Sequence, residues 1–116
     1  VSIHCNAAGN GSDWMSARGW EAWTSVGKTK ADKLATCLYE NAEHCLPGMK
    51  IRKDMTDGDQ DKENGFYILK HTKCPAVLTE NLFQDNKEDV EFLLSEEGKL
   101  AIVNLHVWGI MKYLGL

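Results

Sequence analysis

A histidine stands at position 4, after Val1-Ser2-Ile3, and a glutamate at position 80, after Pro75-Ala76-Val77-Leu78-Thr79. Each ends a short apolar run of strand-forming residues, and open α/β sheets place their sites at the carboxyl ends of strands. A neutral imidazole is a good zinc ligand. A glutamate beside a metal can take a proton from water and later hand it to a leaving amine. The pair therefore points to metal-assisted hydrolysis. Spacing alone leaves a blander alternative open, in which each residue caps a backbone group or lies in solvent.

Other side chains offer weaker leads. His44 and His106 fall in predicted helices and His71 in a turn, where solvated or packing roles are the ordinary ones. Trp14 sits in the glycine-rich stretch just after His4, where an exposed ring could stack on a sugar, whereas Trp20 and Trp23 read as core. Arg52 could fork onto a carboxylate of a ligand, though most such arginines form weak surface ion pairs. The stretch Asp57-Gly58-Asp59-Gln60-Asp61-Lys62-Glu63 has the alternating aspartates of a calcium loop. It lacks the glycine at the sixth position, which is Lys62, and the glutamate at the twelfth, which is Ile68. It reads as a solvated acidic loop.

The elements that must position these residues follow from length and pattern. With 116 residues, 43% of them hydrophobic and 26% charged, the chain is expected to form one domain, residues 1–116, with its own core. A net charge of −4 argues against a nucleic-acid partner, and no stretch approaches the ~20 apolar residues of a membrane span. Cys5, Cys37, Cys45 and Cys74 lack the density of a disulfide scaffold and are expected to be free thiols.

Val1 to His4 predicts a strand, Asn6 to Asp13 a loop, and Gly19 to Thr24 a second strand beside the first, with Trp20, Ala22 and Thr24 on one face. Thr29 caps a helix with Ala31, Leu34, Ala35, Leu38, Ala42 and Cys45 on one face, ended by Pro47-Gly48. Phe66 to Lys70 and Pro75 to Thr79 read as two further strands. Asn86 and Ser95 each cap a helix. The second of these is long, with Leu100, Val103, Val107, Ile110, Met111 and Leu114 facing the sheet and Gly115 closing it. Strands mixed with amphipathic helices give an α/β class, three layers deep.

Read with their neighbours, His4 and Glu80 resemble the site segments of the zinc-dependent N-acetylmuramoyl-L-alanine amidases, enzymes that cut peptide stems from peptidoglycan. Ser2-Ile3-His4-Cys5-Asn6-Ala7 resembles that family's Ser-x-His-x-Asn segment, Gly19-Trp20-Glu21-Ala22-Trp23 its next strand, and Lys28 to Ala35 the start of its following helix. Phe66 to Lys70 and Cys74 to Asn86 resemble its most specific block, a proline-led strand ending in glutamate and followed by phenylalanine and asparagine. Ile102 to Tyr113 is similar to its last helix.

The resemblance implies a three-layer α/β/α domain with a mixed, mostly parallel sheet. This chain would be its C-terminal two thirds or so, without the N-terminal strands. It implies one zinc ion with His4 as third ligand, Glu80 as catalytic acid/base and a muramoyl-peptide substrate, against which Asn6, Trp14 and Arg52 are the candidate contacts. The other two ligands, a histidine and a glutamate, lie upstream of the Ser-x-His-x-Asn segment in the family. As it stands, the chain is thus expected to bind zinc weakly, to be inactive alone and to leave a sheet edge and apolar surface uncovered. The site of action would be the bacterial cell wall, outside the cytoplasm, reached by export or phage delivery. Leu82 departs from the pattern, since many members have glycine there, and a differently shaped loop after Glu80 is expected. The alternatives are a noncatalytic peptidoglycan-binding or regulatory module of the same fold, and a related zinc carboxypeptidase.

Overall fold

Residues 1–116 are described by a computed structural model. Strands β1 (Ser2–Asn6), β2 (Trp20–Thr24), β3 (Lys62–Glu63) and β4 (Leu78–Phe83) form one sheet in the order β1-β4-β2-β3. Helices α1 (Lys30–Cys45), α2 (Tyr67–His71), α3 (Lys87–Leu94) and α4 (Glu96–Leu114) flank it. β4 is parallel to β1 and antiparallel to β2, and β3 is parallel to β2. The sheet is thus mixed and mostly parallel, as the family resemblance implies.

Two strand expectations are corrected. β1 does not neighbour β2, because β4 lies between them. Leu78, Thr79, Asn81, Leu82 and Phe83 are all buried, and a strand buried on both faces belongs at the centre of a sheet. Nor do His4 and Glu80 end their strands. β1 continues to Asn6 and β4 to Phe83, since the polar residues that look like an ending pair with each other in the ladder.

The stretch Phe66 to Lys70 is also corrected, from strand to the helical turn α2. Tyr67 and Ile68 are exposed and only Leu69 is buried, so no apolar strand face exists. Tyr67 and His71, four apart, stack with ring centroids 4.1 Å apart, as helical spacing permits. Phe66, at the start of α2, packs edge-on to Trp23 on the sheet face away from α1 and α4.

Helix α1 is built as its sequence dictates. Thr29 Oγ1 accepts from Ala31 N, Asp32 accepts from Thr29 N at 2.9 Å, and Ala31, Leu34, Ala35, Leu38 and Ala42 are buried. Tyr39 stands edge-on to Trp20, and its hydroxyl accepts from Ala22 N and donates to Arg52 O at 2.8 Å. Asn86 and Ser95 cap α3 and α4, and Gly115 closes α4 at φ 75°.

The face of α4 is the fourth correction. Gly98, Ala101, Leu105, His106 and Gly109 are buried, whereas Leu100, Val103, Val107, Met111 and Leu114 of the predicted stripe are exposed and Ile110 is half-buried. The helix is apolar around most of its circumference, so periodicity does not select a face. Small residues do: a Cβ on Gly109 would come within 2.7 Å of Leu38, so only glycine lets α4 lie this close to α1. β1 forms a sheet edge, and Ile3 on it is exposed. The four cysteines are free.

Leu82 keeps the glycine-type backbone. Its φ is 65° and its side chain is fully buried, so a leucine is held here in a left-handed conformation. Leu82→Ala should cost about 2–5 kcal/mol for the lost buried side chain. Leu82→Gly loses the same packing but relieves about 1 kcal/mol of backbone strain. Urea unfolding should therefore find the glycine variant at least as stable as the alanine variant, the reverse of the usual order. A glycine variant weaker by more than about 1 kcal/mol would count against this strain.

His106 gives the fold a pH dependence. Its Nδ1 donates to Ile102 O at 2.7 Å, which fixes the tautomer, and Nε2 accepts from the Thr79 hydroxyl at 2.8 Å. Burial pushes its pKa below the ordinary value of 6.5. The unfolded chain therefore binds the proton first, and stability falls as pH drops through 6.5 toward the folded pKa. Melting temperature should fall between pH 7 and 5 more steeply in the native chain than in His106→Gln. Equal slopes would remove His106 as the cause.

Candidate active site

Alternation along β2 turns Trp20, Ala22 and Thr24 toward the helices and Glu21 and Trp23 to the opposite face. In the ladder His4 stands opposite Glu80, and Glu80 opposite Glu21. Three polar side chains from three adjacent strands thus form one row on one face. From the other face Asn81 ties this row together: its amide donates to His4 O at 2.9 Å and its carbonyl accepts from Trp20 Nε1 at 2.8 Å.

The two carboxylates of the row differ in company. Glu21 is 1% exposed, and its Oε1 accepts from Asn6 Nδ2 at 2.9 Å and Arg52 Nε at 3.1 Å. Lys62 Nζ lies 2.9 Å from its Oε2. Two cations thus stand against Glu21. Glu80 has no such cation, and its Oε2 is buried without a partner. Burial raises its pKa first, the His4 ring lowers it and the Glu21 charge raises it, for a net upward shift. A carboxyl so placed is suited to exchange protons rather than to stay charged. His4 is exposed beside it, with Nε2 2.8 Å from Ser2 Oγ.

The predicted residues are partly gathered. His4, Glu80 and Asn6 share the row. Arg52 is adjacent, with its Nε on Glu21 and its guanidinium carbon 5.2 Å from the centre of the Phe83 ring. Trp14 is exposed and lines a neighbouring cavity of about 640 Å³ with Asp13, Gln84 and Asp85. The backbone of that loop is held by Asp85, which accepts from Ala8 N at 2.9 Å and Gly9 N at 2.8 Å.

Glu21, Asn81 and Asp85 were not singled out from the sequence. Glu21 had a legible signal, since a charge at the centre of an alternating aromatic strand must lie on the face opposite Trp20 and Ala22. Asn81 and Asp85 had none, because their partners are more than 60 residues away.

The fold and site define a class: an α/β sheet that sets an exposed imidazole and a carboxyl of raised pKa side by side on one face. Comparison with known proteins narrows it. The sequence pattern of the family described as N-acetylmuramoyl-L-alanine amidase matches residues 1–112, and the chain belongs to that family. It is 32% identical over 116 residues to the endolysin of Bacillus phage SPP1, and 31% identical over 117 residues to the N-acetylmuramoyl-L-alanine amidase CwlM of Bacillus licheniformis. Both alignments take in the whole of this chain and 40% of the relative, so the chain spans less than half the length of these relatives. Among solved structures, the amidase AmiC2 of Nostoc punctiforme superposes with a TM-score of 0.78 at 24% identity, over 99% of this chain and 57% of that one, a likeness of fold.

Glu21 is expected to anchor the row. Glu21→Ala strands Arg52 and Lys62 against a buried surface and should cost about 3 kcal/mol or more in urea unfolding. Glu21→Gln, which keeps the shape, should cost less. A loss below about 1 kcal/mol for the alanine variant would show that the two cations simply turn to solvent.

Proposed function

We propose that the chain is the part of an N-acetylmuramoyl-L-alanine amidase that carries His4 as a zinc ligand and Glu80 as general acid/base, acting on the muramoyl–L-alanine amide of peptidoglycan. The observation that carries this reading is the ladder pairing of His4 with Glu80, whose buried Oε2 lacks any partner. The donor set fits zinc: one imidazole exposed on the sheet face, with a carboxyl of raised pKa next to it. A catalytic zinc site would need two further protein ligands beside His4. Zinc, when bound, supplies a Lewis acid that polarises the scissile carbonyl and makes water acidic.

The chain's own residues do the rest. Glu80, ionised at the start, accepts a proton from the attacking water. Holding that proton is favoured by its burial and by the neighbouring Glu21 charge. It then protonates the alanine nitrogen as the C–N bond breaks, which returns it to the carboxylate. Asn6 and Arg52 serve by fixing Glu21, and so the electrostatic setting of Glu80, rather than by gripping substrate. The open cavity beside Trp14 offers an aromatic face and hydrogen-bonding groups suited to a glycan or stem peptide. No helix is long and apolar enough to cross a membrane, and the reading places the action in the cell wall, outside the cytoplasm.

The test uses this chain and a version extended upstream, each assayed for zinc content and for peptide release from purified wall. Zinc near one equivalent and activity are expected only in the extended form. There, Glu80→Gln should keep the metal and lose about 10²–10⁴-fold in rate, and His4→Ala should lose both. Wall binding without zinc or release in either form would instead indicate a binding module. Unimpaired release by either variant would sink the assignment.

A further inference from the structure

Away from His4 and Glu80, a second group of carboxylates gathers where the acidic loop meets the first turn of α1. One carboxylate oxygen from each of Asp32, Asp59 and Asp61 lies within 4.8 Å of the others. Asp61 is 2% exposed, and the loop reading as fully solvated is corrected on this point. Its Oδ2 accepts the Thr24 hydroxyl at 2.5 Å, and its Oδ1 is buried with no partner. Asp59 Oδ1 and Gln60 Oε1 are buried and unpartnered in the same way. No lysine or arginine forms an ion pair with any of the three aspartates. Lys28 reaches only the Asp57 carbonyl, and Lys62, inside the loop, turns away to Glu21.

We propose that Asp32, Asp59 and Asp61 form a structural binding site for a hard divalent cation, with calcium the ion that fits best. The donors are all oxygens, with no sulfur or imidazole among them, which suits calcium over zinc. Calcium holds its oxygens at about 2.4 Å, so two ligands on opposite sides of it stand at most about 4.8 Å apart. The three carboxylates already meet that limit. Three orphaned oxygens in consecutive residues 59–61 are costly to bury unless something positive faces them.

Charge bears the same message. Three carboxylates face one another there with no lysine or arginine paired to them, so a bound cation would relieve their mutual repulsion. The Thr24 hydroxyl orients Asp61 from behind, as ligand carboxylates require. This is no helix–loop–helix calcium loop. Its donors come from the loop and from Asp32 of α1, two segments apart in sequence, which is why loop spacing did not disclose it. A bound ion would clamp residues 59–63 onto α1. It would thereby hold Lys62 of β3 against Glu21, one strand from Glu80.

The test is a thermal melt of this chain, stripped with chelator and then titrated with calcium chloride, magnesium chloride or sodium chloride at matched ionic strength. Calcium at about 100 times its dissociation constant should raise the melting temperature by about 5 °C or more, with a smaller rise from magnesium and none from sodium. In Asp59→Asn, which keeps the side-chain shape and removes one repelling charge, the calcium-dependent rise should vanish. Should that variant fail to fold, terbium luminescence excited through tryptophan in the native chain, displaced by calcium, gives the second reading. An equal calcium response in Asp59→Asn, or neither a calcium-specific shift nor displaceable terbium emission, overturns the site. A larger shift with magnesium overturns the choice of calcium. Neither reading depends on zinc or wall hydrolysis.

Discussion

The structure depends on the register of one strand. β4 is paired on both edges, parallel to β1 and antiparallel to β2, and side chains alternate between faces with period two. A slip by one residue would send Glu80 toward the helices and turn Thr79 and Asn81 onto the open face. Polar bonds on both sides oppose that slip. Thr79 is joined to His106 of α4, and Asn81 to Trp20 and to the carbonyl of His4. Beyond the strand, Asp89 accepts from Phe83 N and from Gly19 N, pinning the exit of β4 to the entry of β2. Buried polar groups in this chain serve register, where apolar packing alone would tolerate sliding.

Once the register is fixed, environment divides the labour between two carboxylates of the same chemical type. Glu21 is surrounded by Asn6, Arg52 and Lys62, so its charge is matched. Glu80 has the field of that charge on one side and His4 on the other, and burial together with the Glu21 charge outweighs His4. The carboxylate with matched cations serves to hold the row, and the one with raised pKa and no cation is the one suited to carry protons. Arg52 and Lys62 matter to chemistry through Glu21, at one remove from any substrate.

How much of this could be read beforehand follows from the range of each interaction. The caps at Thr29, Asn86 and Ser95, and the closing Gly115, are interactions within a few residues, and each was legible. The pairing of His4 with Glu80 was anticipated as a partnership but not as mid-strand neighbours, because pairing joins residues 76 positions apart. α4 misled for a different reason. When nearly every face of a helix is apolar, the choice falls to small residues such as Gly109 that permit close approach, and hydrophobicity does not register absence of bulk. Leu82 is instructive too: its departure from an expected glycine was visible, its positive φ was not, and the energy of burying a leucine holds the strained backbone in place.

The same geometry limits where the remaining donors of a zinc site would approach. On the β2 side of Glu80 stand Glu21 and the two cations bound to it, and positive charge there would repel a metal ion. On the other side is His4, on an edge strand whose outer hydrogen-bonding groups meet no further strand of this chain. The proposed ligands would therefore come in along the free edge of β1, beside His4. That edge also borders the exposed Ile3, which pairs with Thr79 and so lies on the helix side of the sheet, the side on which α4 presents Leu100, Val103 and Val107. A segment that continued the sheet past β1 would complete the metal's donor set on one face and cover apolar surface on the other. Catalytic competence and core completion would then be one event, with the edge strand as their common hinge.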